Sequence, residues 1–225
     1  ELNNLSRLIK PSNFKSFLNN RIKDGKLISE IEIFLNEEGN FKDFIAKGTV
    51  RDLQATFLGD LSLTKTKFSF FADKNDILLK NIFGNLGNIE IKDGDLKINR
   101  ENGITITSNF NSQFDFDNKI LNRYIKLLNN FEFAKNFERL KANVNNNLYI
   151  DLDPTYKIQN YKYQISGNLE KAQFNFNKTL KNNLINEKIE KIYFSNFNIK
   201  TIFNPNDIKF NGEGKYSLNN SDFFK

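Results

Sequence analysis

Two pairs of carboxylates, Asp115-Phe116-Asp117 and Asp151-Leu152-Asp153, are the groupings whose spacing could do chemistry. Acids at i and i+2 on an extended chain point to the same side, as a glycosidase or a calcium site would require. Their surroundings argue against either role. The chain has no His and no Cys, so Ser-His triads, thiol nucleophiles and the common zinc sites have no residues to build them. Acid pairs beside a turn are ordinarily solvated, and structural carboxylates outnumber functional ones. Asp73-Lys74-Asn75-Asp76 reads as a turn, because the glycine and closing glutamate of a calcium loop are missing. No phosphate-binding glycine loop of either the mononucleotide or the dinucleotide kind occurs. The expectation is a non-enzymatic protein with no catalytic residue, no metal and no cofactor.

Aromatic residues interleaved with lysine, as in Tyr161-Lys162-Tyr163 and Lys67-Phe68-Ser69-Phe70-Phe71, are a second candidate, since such rows can stack the bases of a single strand. The formal charge of +6 agrees with that only superficially. The 24 Phe stand beside abundant Asn, Lys and Ile with no Trp or Met, a bias toward residues with AT-rich codons, and the basic residues are spread along the whole chain. The aromatic residues are better read as the buried side of a sheet, and no nucleic-acid partner is expected.

The elements that must position these side chains are mostly strands. Leu5 to Ile22 has helical spacing, with Phe14, Phe17, Leu18 and Ile22 in phase and Pro11-Ser12 as its start. From Gly25 the period drops to two, with Leu27, Ile31, Ile33 and Leu35 on one side and Glu30 and Glu32 on the other. The alternation returns in Ala46-Gly48-Val50, Leu53-Ala55-Phe57, Leu61-Leu63, Phe68-Phe70 and Ile77-Leu79, with a phase slip at Arg51-Asp52 that predicts a bulge. It is clearest in Ile89-Ile91, Leu96-Ile98, Ile104-Ile106 and Phe110, where Asp93-Gly94 and Asn102-Gly103 are expected to be hairpin turns.

A second amphipathic helix is expected from Asn118 to Phe131, and a third around Leu180 to Ile189. Strands resume at Leu140 to Leu152, at Tyr156 to Phe176, and from Ile192 to Leu218 with a break at Asn204-Pro205-Asn206. A Gly-x-Leu device recurs at Gly25, Gly59, Gly84, Gly94 and Gly167, each where a strand is expected to begin. The chain is read as a single β-rich segment over residues 1–225, divisible into 1–117, a helical insertion at 118–137, and 138–225. Three short helices are too few to cover about ten strands of ~5–6 residues. The sheet therefore either curls on itself into a sandwich or barrel, or curves into a trough whose apolar floor is left for a guest.

The chain opens at Glu1 with no Met anywhere and is expected to be part of a longer protein; no apolar run within it reaches the ~18 residues a membrane-spanning helix needs. The order of elements, with Gly48-Thr49-Val50-Arg51-Asp52-Leu53, Phe68-Ser69-Phe70 and above all Asn81-Ile82-Phe83-Gly84-Asn85-Leu86-Gly87-Asn88-Ile89-Glu90-Ile91-Lys92-Asp93-Gly94, resembles the AsmA-like superfamily of bacterial envelope proteins, in particular its YhdP and TamB type. Gly167-Asn168-Leu169-Glu170-Lys171-Ala172 and Gly212-Glu213-Gly214-Lys215-Tyr216 are similar to strands of the same kind.

The resemblance implies a mainly β fold, an extended and curved antiparallel sheet of trough or taco-like form with two or three short amphipathic helices. It also implies a periplasmic protein anchored to the inner membrane through a segment outside this chain. Its groove would hold phospholipid acyl chains in transit between membranes, in the service of outer-membrane maintenance. The groove candidates are Ile31, Ile33, Phe68, Phe70, Ile77, Leu79, Ile89, Ile91, Leu96, Ile98, Ile104, Ile106 and Phe110. The alternative is a non-transporting β scaffold or adhesin-like envelope module whose apolar sides are packed internally.

Overall fold

The computed structural model describes residues 19–58, 61–101, 103–127, 136–153, 155, 157–182, 185–219, 221–222 and 224. Ten strands follow one another: β1 (Ile22–Leu35), β2 (Phe41–Leu58), β3 (Leu61–Ala72), β4 (Asp76–Leu86), β5 (Ile89–Asn99), β6 (Ile104–Asp117), β7 (Phe137–Leu152), β8 (Ile158–Asn182), β9 (Ile185–Phe203) and β10 (Ile208–Leu218). Each is hydrogen-bonded to the next in chain order, giving one open antiparallel sheet with β1 and β10 at its edges. This ordering is what short connections between antiparallel strands produce. A helix, α1 (Asn118–Leu127), lies between β6 and β7 in the chain.

Residues group into two compact units. One holds Glu1–Ser112, Asn146–Tyr163 and Phe203–Asp207; the other holds Gln113–Asn145, Gln164–Ile202 and Ile208–Lys225. In the first, a small core forms around Val50, Leu53 and Ala55, with Ile22, Leu27, Leu63, Phe68 and Phe70 packed against it. In the second, Ala142, Val144, Ala172 and Ile189 are buried. The buried apolar side chains among the described residues are few and mostly small, and none of the large ones is fully enclosed.

The bulge expected at Arg51-Asp52 is present: Asp52 has φ 53 and the β2–β3 register slips between Val50 and Leu53. Lys65 and Asn81 take the same left-handed conformation in β3 and β4, at φ 52 and 54. Each inserted residue restores Leu53, Thr66 and the following apolar positions to one side of the sheet. The Asn81 bulge is braced by Asp95, whose carboxylate accepts from Lys80 Nζ and from the Asn81 N–H. Those two donors, the Lys80 hydrogen bond first, hold the Asp95 carboxyl below the usual range.

Several local expectations are corrected. Asp93-Gly94 is not a turn but the middle of β5; the β4–β5 hairpin turns at Gly87-Asn88, where Gly87 supplies φ 59. Gly94 is in the strand because Phe110 occupies the space where its side chain would be, with an ideal Cβ only 2.8 Å from Phe110 Cβ. The Gly-x-Leu device does not mark strand starts: Gly25, Gly94 and Gly167 lie inside β1, β5 and β8, and Gly84 is near the end of β4. Gly59 lies outside the described residues.

Where the third helix was expected, the described residues, 180–182 and 185–189, are strand and belong to β8 and β9. Its apolar spacing served both periods, and pairing with neighbouring strands decided between them. Of the first helix only residues 19–21 are described, and they are helical; residues 5–18 lie outside. Helix α1 agrees with expectation over 118–127, and 128–131 lie outside. Among the described residues no helix is long and apolar enough to cross a membrane.

Candidate apolar binding face

In an antiparallel sheet, directly opposed residues share a side. Following the register from strand to strand therefore traces which side chains line up. Ile31 pairs with Ala46, Ala46 with Ala72, Ala72 with Ile77 and Ile77 with Ile98. Beside that row, Ser29 pairs with Gly48, Gly48 with Phe70, Phe70 with Leu79 and Leu79 with Leu96. A third row runs Leu27, Val50, Phe68, and past the bulges a fourth runs Ile22, Ala55, Leu63, Leu86, Ile89. Packing of Leu27, Leu63, Phe68 and Phe70 around Val50, Leu53 and Ala55 places all four rows on the same side.

The predicted groove residues fall accordingly. Ile31, Ile33, Phe68, Phe70, Ile77, Leu79, Ile89, Leu96 and Ile98 belong to these rows or, for Ile33, to the next position paired with Phe44; Ile91 sits opposite Gly84. Phe110 joins them through its contact with Gly94, and Ile104 and Ile106 precede it along β6 at two-residue spacing. Sequence reading left Leu27, Val50, Leu53, Ala55, Leu63 and Leu86 out of the candidate set, although the same alternation marks them. Most of these side chains are half-buried, and at the edge Ile31 and Ile33 are 58% and 64% exposed.

Aromatic rings tile part of this side by lying over glycines of the next strand. An ideal Cβ on Gly48 would come within 2.9 Å of the Phe70 ring. In the second unit, Phe197 covers Gly212 in the same manner. Glycine in a strand interior thus serves as a bed for a neighbouring ring.

A buried polar cluster interrupts the apolar surface in the first unit, and nothing in the sequence singled it out. Asn146 donates to Ser112 Oγ at 2.9 Å and to the Phe110 carbonyl at 3.2 Å, while the Tyr163 hydroxyl donates to Asn146 Oδ1 at 2.7 Å. The Tyr163 ring stacks on Phe203. Burial pushes the Tyr163 phenol up to about 12.

The opposite side carries the charge. Lys47 and Glu30, Lys97 and Asp76, and Lys80 and Asp95 form ion pairs there between neighbouring strands of the first unit. This side is not wholly polar, since Phe71 pairs with Leu78 there and Lys67 lies over the Phe83 ring.

Three of the four acids in the two pairs are taken up by structural contacts. Asp115 is held low by the Arg139 hydrogen bond and charge. Asp117 accepts from the Ile120 N–H at the start of α1, and Asp153 closes a turn by accepting from Thr155 and Lys157. Asp73 likewise accepts from the Asn75 and Asp76 N–H groups, the turn expected there. Among the described residues no group of three or more acids is gathered as a metal would need. Comparison of the chain with protein-family models, with curated proteins and with solved structures finds no match.

Proposed function

We propose that this chain is a lipid-handling segment of a bacterial envelope protein, whose apolar sheet face forms the floor of a groove for phospholipid acyl chains. The observation that carries the reading is the register-matched apolar surface running from β1 to β5, half-buried where a packed core would be sealed. An acyl chain needs contiguous apolar contact along its length and no hydrogen-bond partner, which is what rows of Ile, Leu, Phe and Ala supply. Ion pairs on the other side keep that side in water. The role places the protein in the periplasm, with its membrane anchor in a segment outside this chain, and involves no chemical step.

The absence of cysteine makes a site-resolved test simple. Ile98 faces the apolar side and its neighbour Lys97 the charged side. A fluorophore on Ile98→Cys is expected to be quenched by phospholipid with brominated acyl chains, and one on Lys97→Cys is not. Lipid extraction of the purified chain should recover phospholipid. No quenching at either position together with a lipid-free extract would leave the non-transporting scaffold as the better account.

A further inference from the structure

A second polar cluster lies in the other unit, and we infer from it a binding site for a hard monovalent cation, sodium or potassium, held between β7 and β8. Three cross-strand contacts fix how the two strands meet there. The Phe137 ring lies edge-on against Phe174, Glu138 accepts from Gln173 Nε2, and Lys141 pairs with Glu170. Each pair keeps the same antiparallel register, which sets Asn136, one residue before β7, opposite Asn175. Asn136 and Glu138 therefore share a side of the sheet with Gln173 and Asn175, as directly opposed and diagonal neighbours. All four belong to one compact unit.

Donors and acceptors in this cluster do not balance. Asn175 Nδ2 and Gln173 Nε2 both donate to the Glu138 carboxylate. Asn175 Oδ1 and Asn136 Oδ1 are buried, and among the described residues neither has a hydrogen-bond partner. Turning the Asn175 amide over gives no relief, because Oδ1 would then face the carboxylate. The surplus is of acceptors, and it surrounds a negative charge. Lys171, two residues from Gln173 along β8, is exposed, and its charge acts on Asp115. An ion seated among the Glu138 carboxylate and the two amide oxygens meets the whole surplus at once, since carboxylate and amide oxygens are the ligands that hard cations take. The charge of the site selects the ion. One carboxylate neutralises a single positive charge, whereas the described residues gather no group of three acids such as a buried divalent ion takes. Bound there, the ion fastens β7 to β8 where Asn136 leads into the sheet.

Urea denaturation of the full chain at constant ionic strength, in sodium, potassium or N-methylglucamine chloride, tests this. Sodium or potassium is expected to raise the urea midpoint above that in N-methylglucamine, whose cation is too large to enter. An ion at about ten times its dissociation constant raises the folding constant roughly tenfold. Glu138→Gln should erase the difference, while Glu90→Gln, which alters an exposed acid outside the cluster, should keep it. Circular dichroism matching the parent chain establishes that each variant is folded. Broadening of the sodium NMR line by the native chain, relieved by potassium, reads the same binding without a variant. Equal midpoints in all salts, with no broadening, overturn the proposal and leave water as the partner of the two oxygens. A midpoint raised by calcium alone overturns it too, since the site would then be divalent. No lipid enters these measurements, so this result and the groove reading stand or fall separately.

Discussion

Tyr163 shows how much a single side chain on this sheet depends on partners distant in the chain. Its hydroxyl reaches Asn146, which in turn is fixed to Ser112 and the Phe110 carbonyl. Removing the hydroxyl by Tyr163→Phe leaves Asn146 Oδ1 without that donor, at an expected cost of about 1–2 kcal/mol in urea denaturation. The pH dependence is the sharper signature. A folded-state value near 12 against about 10 in the unfolded chain favours the neutral phenol in the folded state. That contribution is complete below pH 10 and is lost as pH climbs toward 12. The parent should therefore lose its advantage over Tyr163→Phe between urea midpoints measured at pH 9 and at pH 11.5; an unchanged gap would mean the phenol is solvated. The alternation Tyr161-Lys162-Tyr163 made the strand legible. The partner was not, because Asn145-Asn146-Asn147 offers three chemically equal residues and only the register selects the middle one.

At the scale of elements, the sequence disclosed period and lost position. Strands were readable wherever one side faces apolar neighbours, and the Asp52 bulge was readable because it shifts that phase. The bulges at Lys65 and Asn81 were not read from it, and Asp93-Gly94, a strong turn dipeptide, was overruled by the ring of Phe110. Local turn chemistry yields when a neighbouring strand supplies a full ladder of hydrogen bonds and a ring to cover the glycine. The helix between β6 and β7 is a case where local signals prevailed. Asp117 precedes it and accepts from the Ile120 N–H at 2.8 Å, satisfying one of the unpaired donors of the first turn. Asp117→Ala is expected to lower stability by about 1 kcal/mol, with loss of helical signal at 222 nm before the sheet melts. A variant with parental stability would show that Leu121, buried at 6% exposure, anchors the helix without its cap.

For the whole molecule, the question is whether the apolar side of the sheet is a surface or a core, and alternation alone left both open because either arrangement needs the same pattern. Two leucines on that side make the distinction measurable. Leu53 is 8% exposed within the cluster around Val50 and Ala55, whereas Leu79 lies half-buried in the row joining Phe70 to Leu96. A lysine introduced at a sealed position must bury its charge or disrupt the packing, at roughly 3 kcal/mol or more. On an open apolar floor its stem lies along the surface and its ammonium reaches water, at about 1 kcal/mol. Leu53→Lys is expected to cost the larger amount and Leu79→Lys the smaller, both read from urea midpoints. Leu79→Lys should nevertheless abolish capture of brominated phospholipid, since an acyl chain laid across Phe70, Leu79 and Leu96 would meet a charge. Equal destabilisation by the two lysines would identify the face as a closed interior, and the lipid reading would then lose the surface on which it rests.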